Sequence, residues 1–332
     1  MTKVYYESDA DLGVLRDRKL GIIGYGNQGR AQALNLRDSG ITPVIGVRKD
    51  ETRDRAAEDG FVTADVADTA AQCDVLMILI PDEVMPEVFE SAIRPNLNAG
   101  DVVSFATGYN IAFGLLTPPD DVDVVMVAPR MIGEGVRDTY VEGSGFPSFV
   151  GVHQDATGNA LSVCLAIAKG IGTTRSGALE LTFAQEAELD LFTEQGFGPA
   201  FGQVLMASMQ TLIDAGYPEE AVLVELLLSG EFAYSMGKIR ELGFFKQMEL
   251  HSTTSQYGSM TRGMRFIIPE LHEKLGDVLK EITSGDFAKE WTAEQVAGHP
   301  MLKQLRELRT MHPMAGWERN TRAAFRMDGA ED

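Results

Sequence analysis

Cysteine is nearly absent: Cys73 and Cys164 are the only two in 332 residues. That excludes a disulfide framework, and the pair matches no metal or redox spacing. Both sit in apolar-patterned segments and read as reduced core residues of a cytosolic protein. The five histidines, His153, His251, His272, His299 and His312, show no HxxxH or related ligand spacing and read as structural or exposed. No Ser-His-Asp or Cys-His nucleophile arrangement emerges. Trp291 and Trp317 are the only tryptophans and read as packing anchors. Long apolar runs are missing as well. Residues 75–80, and 221–228 with Glu225 inside, fall far short of the roughly 20 residues that span a bilayer. The opening Met1-Thr2-Lys3-Val4-Tyr5-Tyr6-Glu7 has no apolar core or small-residue cleavage site, so a soluble, cytoplasmic protein is expected. Positive charge is in deficit: 29 basic against 49 acidic residues give a net charge of −20. The long-range field therefore has the wrong sign for nucleic acid or an anionic membrane.

What is present is globular in character, with 44% hydrophobic and 23% charged residues. The length predicts two domains. Up to about residue 177, short β-branched runs alternate with helical stretches, the pattern of a parallel sheet wrapped by helices. Strands are expected at 20–23, 43–47, 75–80, 102–105, 122–127 and 149–152, each followed by a turn signal. Beyond about Thr182 the β-runs vanish, and helices are expected over 186–194, 202–215, 218–236 and 269–281. The chain is thus read as an α/β Rossmann-type domain (1–182) followed by an all-α domain (183–332). Met206, Met209 and Met236 read as plastic core or dimer-interface filler. Residues 328–332 are expected to fray.

Gly24-Tyr25-Gly26-Asn27-Gln28-Gly29 follows the first of these strands and opens a helix. Gly24 permits the tight turn, Gly26 lets backbone N–H groups approach a pyrophosphate, and Gly29 lets helix and strand pack closely. The simpler alternative is a glycine-rich turn without a ligand. About 20 residues on, where an acidic side chain would take the ribose hydroxyls, the signs are mixed. Arg48 and Lys49 suit a 2′-phosphate, Asp50 and Glu51 a free diol. The balance leans towards NADH over NADPH.

Glu186, Asp190 and Glu194 are spaced i, i+4, i+8, which lines three carboxylates along one helical face. No lysine occurs between Lys169 and Lys238, and Arg175 is the only arginine there. A divalent hard cation such as magnesium would relieve the repulsion; a solvated acidic face is the plainer alternative.

In these motifs the chain resembles the ketol-acid reductoisomerases of the short class. The resemblance covers the glycine loop, Ala33-Leu34-Asn35-Leu36-Arg37-Asp38-Ser39-Gly40, Ile80-Pro81-Asp82-Glu83 and Pro118-Pro119-Asp120-Asp121-Val122-Asp123. It continues through Met126-Val127-Ala128-Pro129, Gln154-Asp155-Ala156, Asp190-Leu191-Phe192-Thr193-Glu194-Gln195 and a late Ser252 to Tyr257-Gly258. It implies an NAD(P)H- and magnesium-dependent enzyme of branched-chain amino acid synthesis, which shifts an alkyl group in an acetohydroxy acid and then reduces the ketone. It also implies a knotted helical domain, a homodimer or higher homo-oligomer, and a small 2-oxo or hydroxy acid substrate. Carried over by position, Pro81, Asp82 and Gly108 join the cofactor set. Asp190, Glu194 and Glu225 become metal ligands for one or two ions, and Ser252 a substrate contact.

Four places depart from the family pattern. Thr107 stands where the family has histidine, and Arg130 replaces a lysine. Met131-Ile132-Gly133-Glu134 replaces glycine-proline-glycine-histidine, and Ser229 replaces a fourth carboxylate. Glu231 is no substitute on a regular helix, where six residues place it about 120° from Glu225; Gly230 would have to break that helix. Reduction needs less than rearrangement does, and is expected to outlive it, with Arg130, Thr107, Asp190 and Glu194 as the catalytic set. The alternatives are a reductase of a small 2-oxo acid or imine without alkyl migration, and a non-catalytic dinucleotide-binding subunit.

Overall fold

The computed structural model describes residues 2–327, so the tail expected to fray lies outside the described residues. The chain divides into two compact units, Met1–Asp190 and Leu191–Asp332.

The first unit is built on a nine-stranded sheet: β1 (Val4–Tyr5), β2 (Leu20–Ile23), β3 (Val44–Gly46), β4 (Thr63–Ala64), β5 (Val75–Ile78), β6 (Val102–Phe105), β7 (Asp123–Pro129), β8 (Ser148–Gln154) and β9 (Ala178–Glu180). Their order is β1-β9-β8-β7-β6-β5-β2-β3-β4. Strands β2 to β7 run parallel to one another, as the alternation predicts. The sheet is not parallel throughout, because β8 runs antiparallel to β7 and β1 antiparallel to β9.

Parallel strands are buried on both faces, and successive side chains alternate between them. Ile22, Met77, Val125 and Val127 join one apolar cluster. Their neighbours Ile23, Leu76, Ile78, Val124 and Met126 join the other. Cys164 and Cys73 are free thiols in these two cores, as expected. Burial pushes the Cys164 thiol up to about 12 and the Cys73 thiol up to about 11.

The second unit is helical among its described residues. Helix Gly198–Asp214 packs Met209 with Val222 and Leu223 in a small core that Trp317 joins. The helix expected over 218–236 is not continuous. It comprises Glu219–Leu223 and a π-helical turn, Val224–Leu228, and a new helix begins at Glu231–Leu242. Gly230 separates them with φ +81°, a left-handed conformation that glycine adopts without steric cost.

Candidate functional site at the strand ends

The residues singled out in the first unit gather along one edge of the sheet. Gly24 follows β2, Arg48 follows β3, Pro81 and Asp82 follow β5, Thr107 and Gly108 follow β6, and Arg130 follows β7. Because these strands are parallel, all five segments lie at carboxyl ends. The order reverses between β2 and β5, the switch point outside whose strand ends open α/β sheets bind ligands.

The glycine loop has its geometry imposed. Gly24 holds φ +99°, and a Cβ there would lie 2.5 Å from the Leu79 carbonyl oxygen. A Cβ on Gly29 would meet the Gly24 carbonyl oxygen at 2.4 Å, whereas one on Gly26 would meet nothing within 4 Å. Gly26 and Asn27 are exposed at the start of helix Asn27–Asp38. Neighbouring side chains are committed elsewhere. Tyr25 is buried, and its hydroxyl donates to Asp59 Oδ2 at 2.8 Å. Arg30 grips the same carboxylate at 2.7 and 3.0 Å. Gln28 donates to the Met131 carbonyl at 2.8 Å, tying the loop to the segment after β7. The Arg30 hydrogen bond, with help from Tyr25, holds Asp59 below its ordinary range; burial and Asp59 together raise Tyr25. Tyr25 and Gln28 thus offer a cofactor their backbone, their side chains being spent on the fold.

After β3, three cations face carboxylates. Arg48 lies 3.6 Å from Asp50, Lys49 lies 3.7 Å from Asp65, and Arg53 pairs with Asp65. Asp50 also caps helix Glu51–Glu58 by accepting the Thr52 N–H at 3.0 Å. Glu51 is exposed at the first helical position.

The charged centre lies at the ends of β6 and β7. Glu186, on helix Phe183–Phe192, is fully buried. It accepts the Gly108 N–H at 2.6 Å and a Thr107 hydroxyl contact at 3.4 Å on Oε2, and Arg130 Nη2 at 2.8 Å on Oε1. Arg130 Nη1 donates to Asp190 Oδ1 at 2.7 Å, and the guanidinium lies over the Phe149 ring, 4.9 Å from its centre. Burial raises the pKa of Glu186 against the opposing pull of the Gly108 N–H and Arg130. Gly108 is glycine of necessity here, since a Cβ would fall 2.1 Å from the Phe183 carbonyl oxygen.

In the second unit, Glu194 and Glu225 are exposed within π-helical turns, Thr193–Phe197 and Val224–Leu228. The uninterrupted i, i+4, i+8 stripe therefore gives way to a π turn at Glu194. Ser252 caps helix Thr253–Gly263 by accepting the Ser255 N–H at 3.2 Å. Glu231 opens its helix directly after the left-handed Gly230, so the regular-helix argument that sets it 120° from Glu225 does not apply.

Comparison with known proteins now separates the possibilities this geometry leaves. A family model described as "acetohydroxy acid isomeroreductase, NADPH-binding domain" matches residues 14–177. One described as "ketol-acid reductoisomerase, C-terminal domain" matches residues 183–327. The chain belongs to the ketol-acid reductoisomerase family. It is 43% identical over 316 residues to the ketol-acid reductoisomerase (NADP(+)) of Pyrobaculum neutrophilum, covering 95% of this chain and 96% of the relative. The solved structure of an NADH-preferring ketol-acid reductoisomerase from an uncultured archaeon superposes with a TM-score of 0.91 at 38% identity, over 97% of this chain and 98% of that one. A semialdehyde dehydrogenase NAD-binding protein from Cupriavidus necator shares the fold alone, at 19% identity, TM-score 0.61 and 80% and 98% coverage.

As a ketol-acid reductoisomerase family member, the chain is an NAD(P)-dependent oxidoreductase, and the strand-end crevice fits such a cofactor. The open space at Gly26 has room for a phosphate, and Tyr109 Oη and Asn110 Oδ1, in the turn of helix that follows Gly108, are two of five buried side-chain atoms among the described residues without a hydrogen-bond partner. Buried polar atoms are rarely left so unless a missing group satisfies them. Asp190 has the donor chemistry magnesium takes, a hard oxygen on a side chain 41% exposed, and magnesium needs only one or two carboxylates with water completing its shell; among the described residues no three such groups stand together. Spacing alone lines Glu186 up with Asp190 and Glu194 as a third oxygen ligand, whereas its carboxylate is spent on Gly108 and Arg130; Tyr109 and Asn110 carry no sequence signal. The stripe was the available signal for Glu186, but its partners Gly108 and Arg130 are 78 and 56 residues away and no local pattern reveals them.

Proposed function

We propose that the chain catalyses isomeroreduction of an acetohydroxy acid in branched-chain amino acid synthesis, the domain of residues 1–182 holding the cofactor and that of residues 183–332 the metal and substrate groups. The observation that supports this reading most is the linkage of Arg130, Glu186, Asp190 and Gly108 at the crevice. It joins the permanent cation of Arg130, two carboxylates and the turn at Gly108 in one hydrogen-bonded unit. Bound NAD(P)H supplies a hydride, and magnesium supplies Lewis-acid polarisation of adjacent oxygens. Gly24, Gly26 and Gly29 shape the pyrophosphate cradle, with Tyr25, Asn27 and Gln28 contributing backbone. Pro81, Asp82 and Gly108 complete the cofactor set. Arg130 orients the substrate's carboxylate or developing oxyanion, and Thr107 hydrogen-bonds beside it. Asp190, Glu194 and Glu225 would supply oxygen ligands to the metal, and Ser252 would contact the substrate. NADH is preferred, because Arg48, Lys49 and Arg53 already face Asp50 or Asp65.

A second reading, reduction without alkyl migration, is favoured by one observation. Neither Thr107 nor Arg130 releases a proton at neutral pH, so the groups at the crevice serve reduction better than rearrangement. Incubation with 2-acetolactate, magnesium and NADH tests the first reading. Cofactor oxidation above control is expected, and its absence, with the rearranged 2-oxo acid still reduced, leaves the second.

We further propose a cytoplasmic homodimer. Phe197, Phe201 and Phe232 stack at 6.1 and 5.7 Å while 61%, 40% and 37% exposed, an apolar surface that a second copy would cover. Among the described residues no helix is long and apolar enough to cross a membrane.

A further inference from the structure

The Arg130 guanidinium bridges two unequal partners. Glu186 is fully buried and doubly tied, through Arg130 and the Gly108 N–H, whereas Asp190 is 41% exposed and meets Arg130 with one oxygen, Oδ1, at 2.7 Å. Arginine holds its charge at any working pH, and its planar fork spans two carboxylates at once. Stacking on Phe149 and a 3.3 Å contact from Nε to the Ala128 carbonyl fix the plane of that fork.

We infer that Arg130 is a built-in counter-cation at Asp190, so that a divalent ion arriving at this carboxylate competes with the guanidinium, which keeps Glu186 as its anchor. The inference rests on the reading of Asp190 as a metal ligand. Two like charges drawn to one carboxylate repel over a few ångströms, and the carboxylate's attraction is already partly spent on the first. Lysine at this position would lack the fork. Its single ammonium would stay with buried Glu186, whose uncompensated charge costs more, and leave Asp190 to the metal.

The test is calorimetric titration of magnesium into the full chain loaded with NADH, comparing the natural protein, Arg130→Lys and Asp190→Asn, each checked for folding by thermal melting. Arg130→Lys is expected to bind magnesium roughly tenfold more tightly, within the range usual for coupled sites, and Asp190→Asn to lose that binding event. If Asp190→Asn loses it but Arg130→Lys binds no more tightly than the natural protein, the counter-cation inference falls and the ligand assignment stands. If Asp190→Asn binds as before, the ligand assignment itself falls. Should Arg130→Lys fold poorly, the double variant Arg130→Gln with Glu186→Gln removes both charges together. The same tightening is expected there, and unchanged affinity overturns the inference.

Discussion

Glu186 does its work through others, since both the turn at Gly108 and the guanidinium of Arg130 are held by its carboxylate. Glu186→Ala is therefore expected to lower kcat/KM by about 100-fold, the scale of an ångström-sized misplacement of catalytic groups. Glu186→Gln, which still accepts the Gly108 N–H, should lose less; steady-state kinetics of both variants check the order. Asp59 gives a residue-scale prediction of another kind. Its folded-state pKa is lowered by Arg30, so its stabilising contribution is present above the unfolded value of about 3.9 and fades as pH falls through the folded one. Asp59→Asn should therefore lower Tm at pH 7, with the difference from the natural protein shrinking in melts taken progressively below pH 4.

At the scale of elements, the sequence made the long strands and the glycine loop legible because their signals are local: four buried apolar residues in a row at Leu20–Ile23, then a glycine turn into a helix. Strands β1, β4 and β9, two or three residues each, carry no periodicity and owe their conformation to pairing with distant partners. The antiparallel sense of β8 was equally hidden, since apolar patterning is blind to direction. Periodicity also missed the break at Gly230, because apolar residues continue on either side of it. That break removes the regular-helix ground for setting Glu231 aside, and we propose it, with Glu225, as an acidic group for magnesium. Glu231→Gln is expected to weaken magnesium binding as much as Glu225→Gln does, by about tenfold in calorimetry; no effect of Glu231→Gln would return the site to three carboxylates.

On the scale of the whole molecule, a net charge of −20 favours separate, soluble particles, whereas the exposed aromatic stack of the second unit favours association. The two demands are compatible if association stops at a closed pair that hides the aromatics and leaves the charge outside. Light scattering at physiological salt should give the mass of two chains, and Phe201→Glu together with Phe232→Glu should shift it towards one. The far edge of the nine-stranded sheet carries a different liability. The short strand Val4–Tyr5, fastened by the Tyr5 hydroxyl to Glu180 at 2.7 Å and extended by the Lys3 carbonyl, which accepts the Glu180 N–H at 2.9 Å, covers β9 at this edge. Trimming the first nine residues would bare a row of unpaired amides, and the expected result is edge-to-edge fibrillation while the distant cofactor crevice keeps its shape.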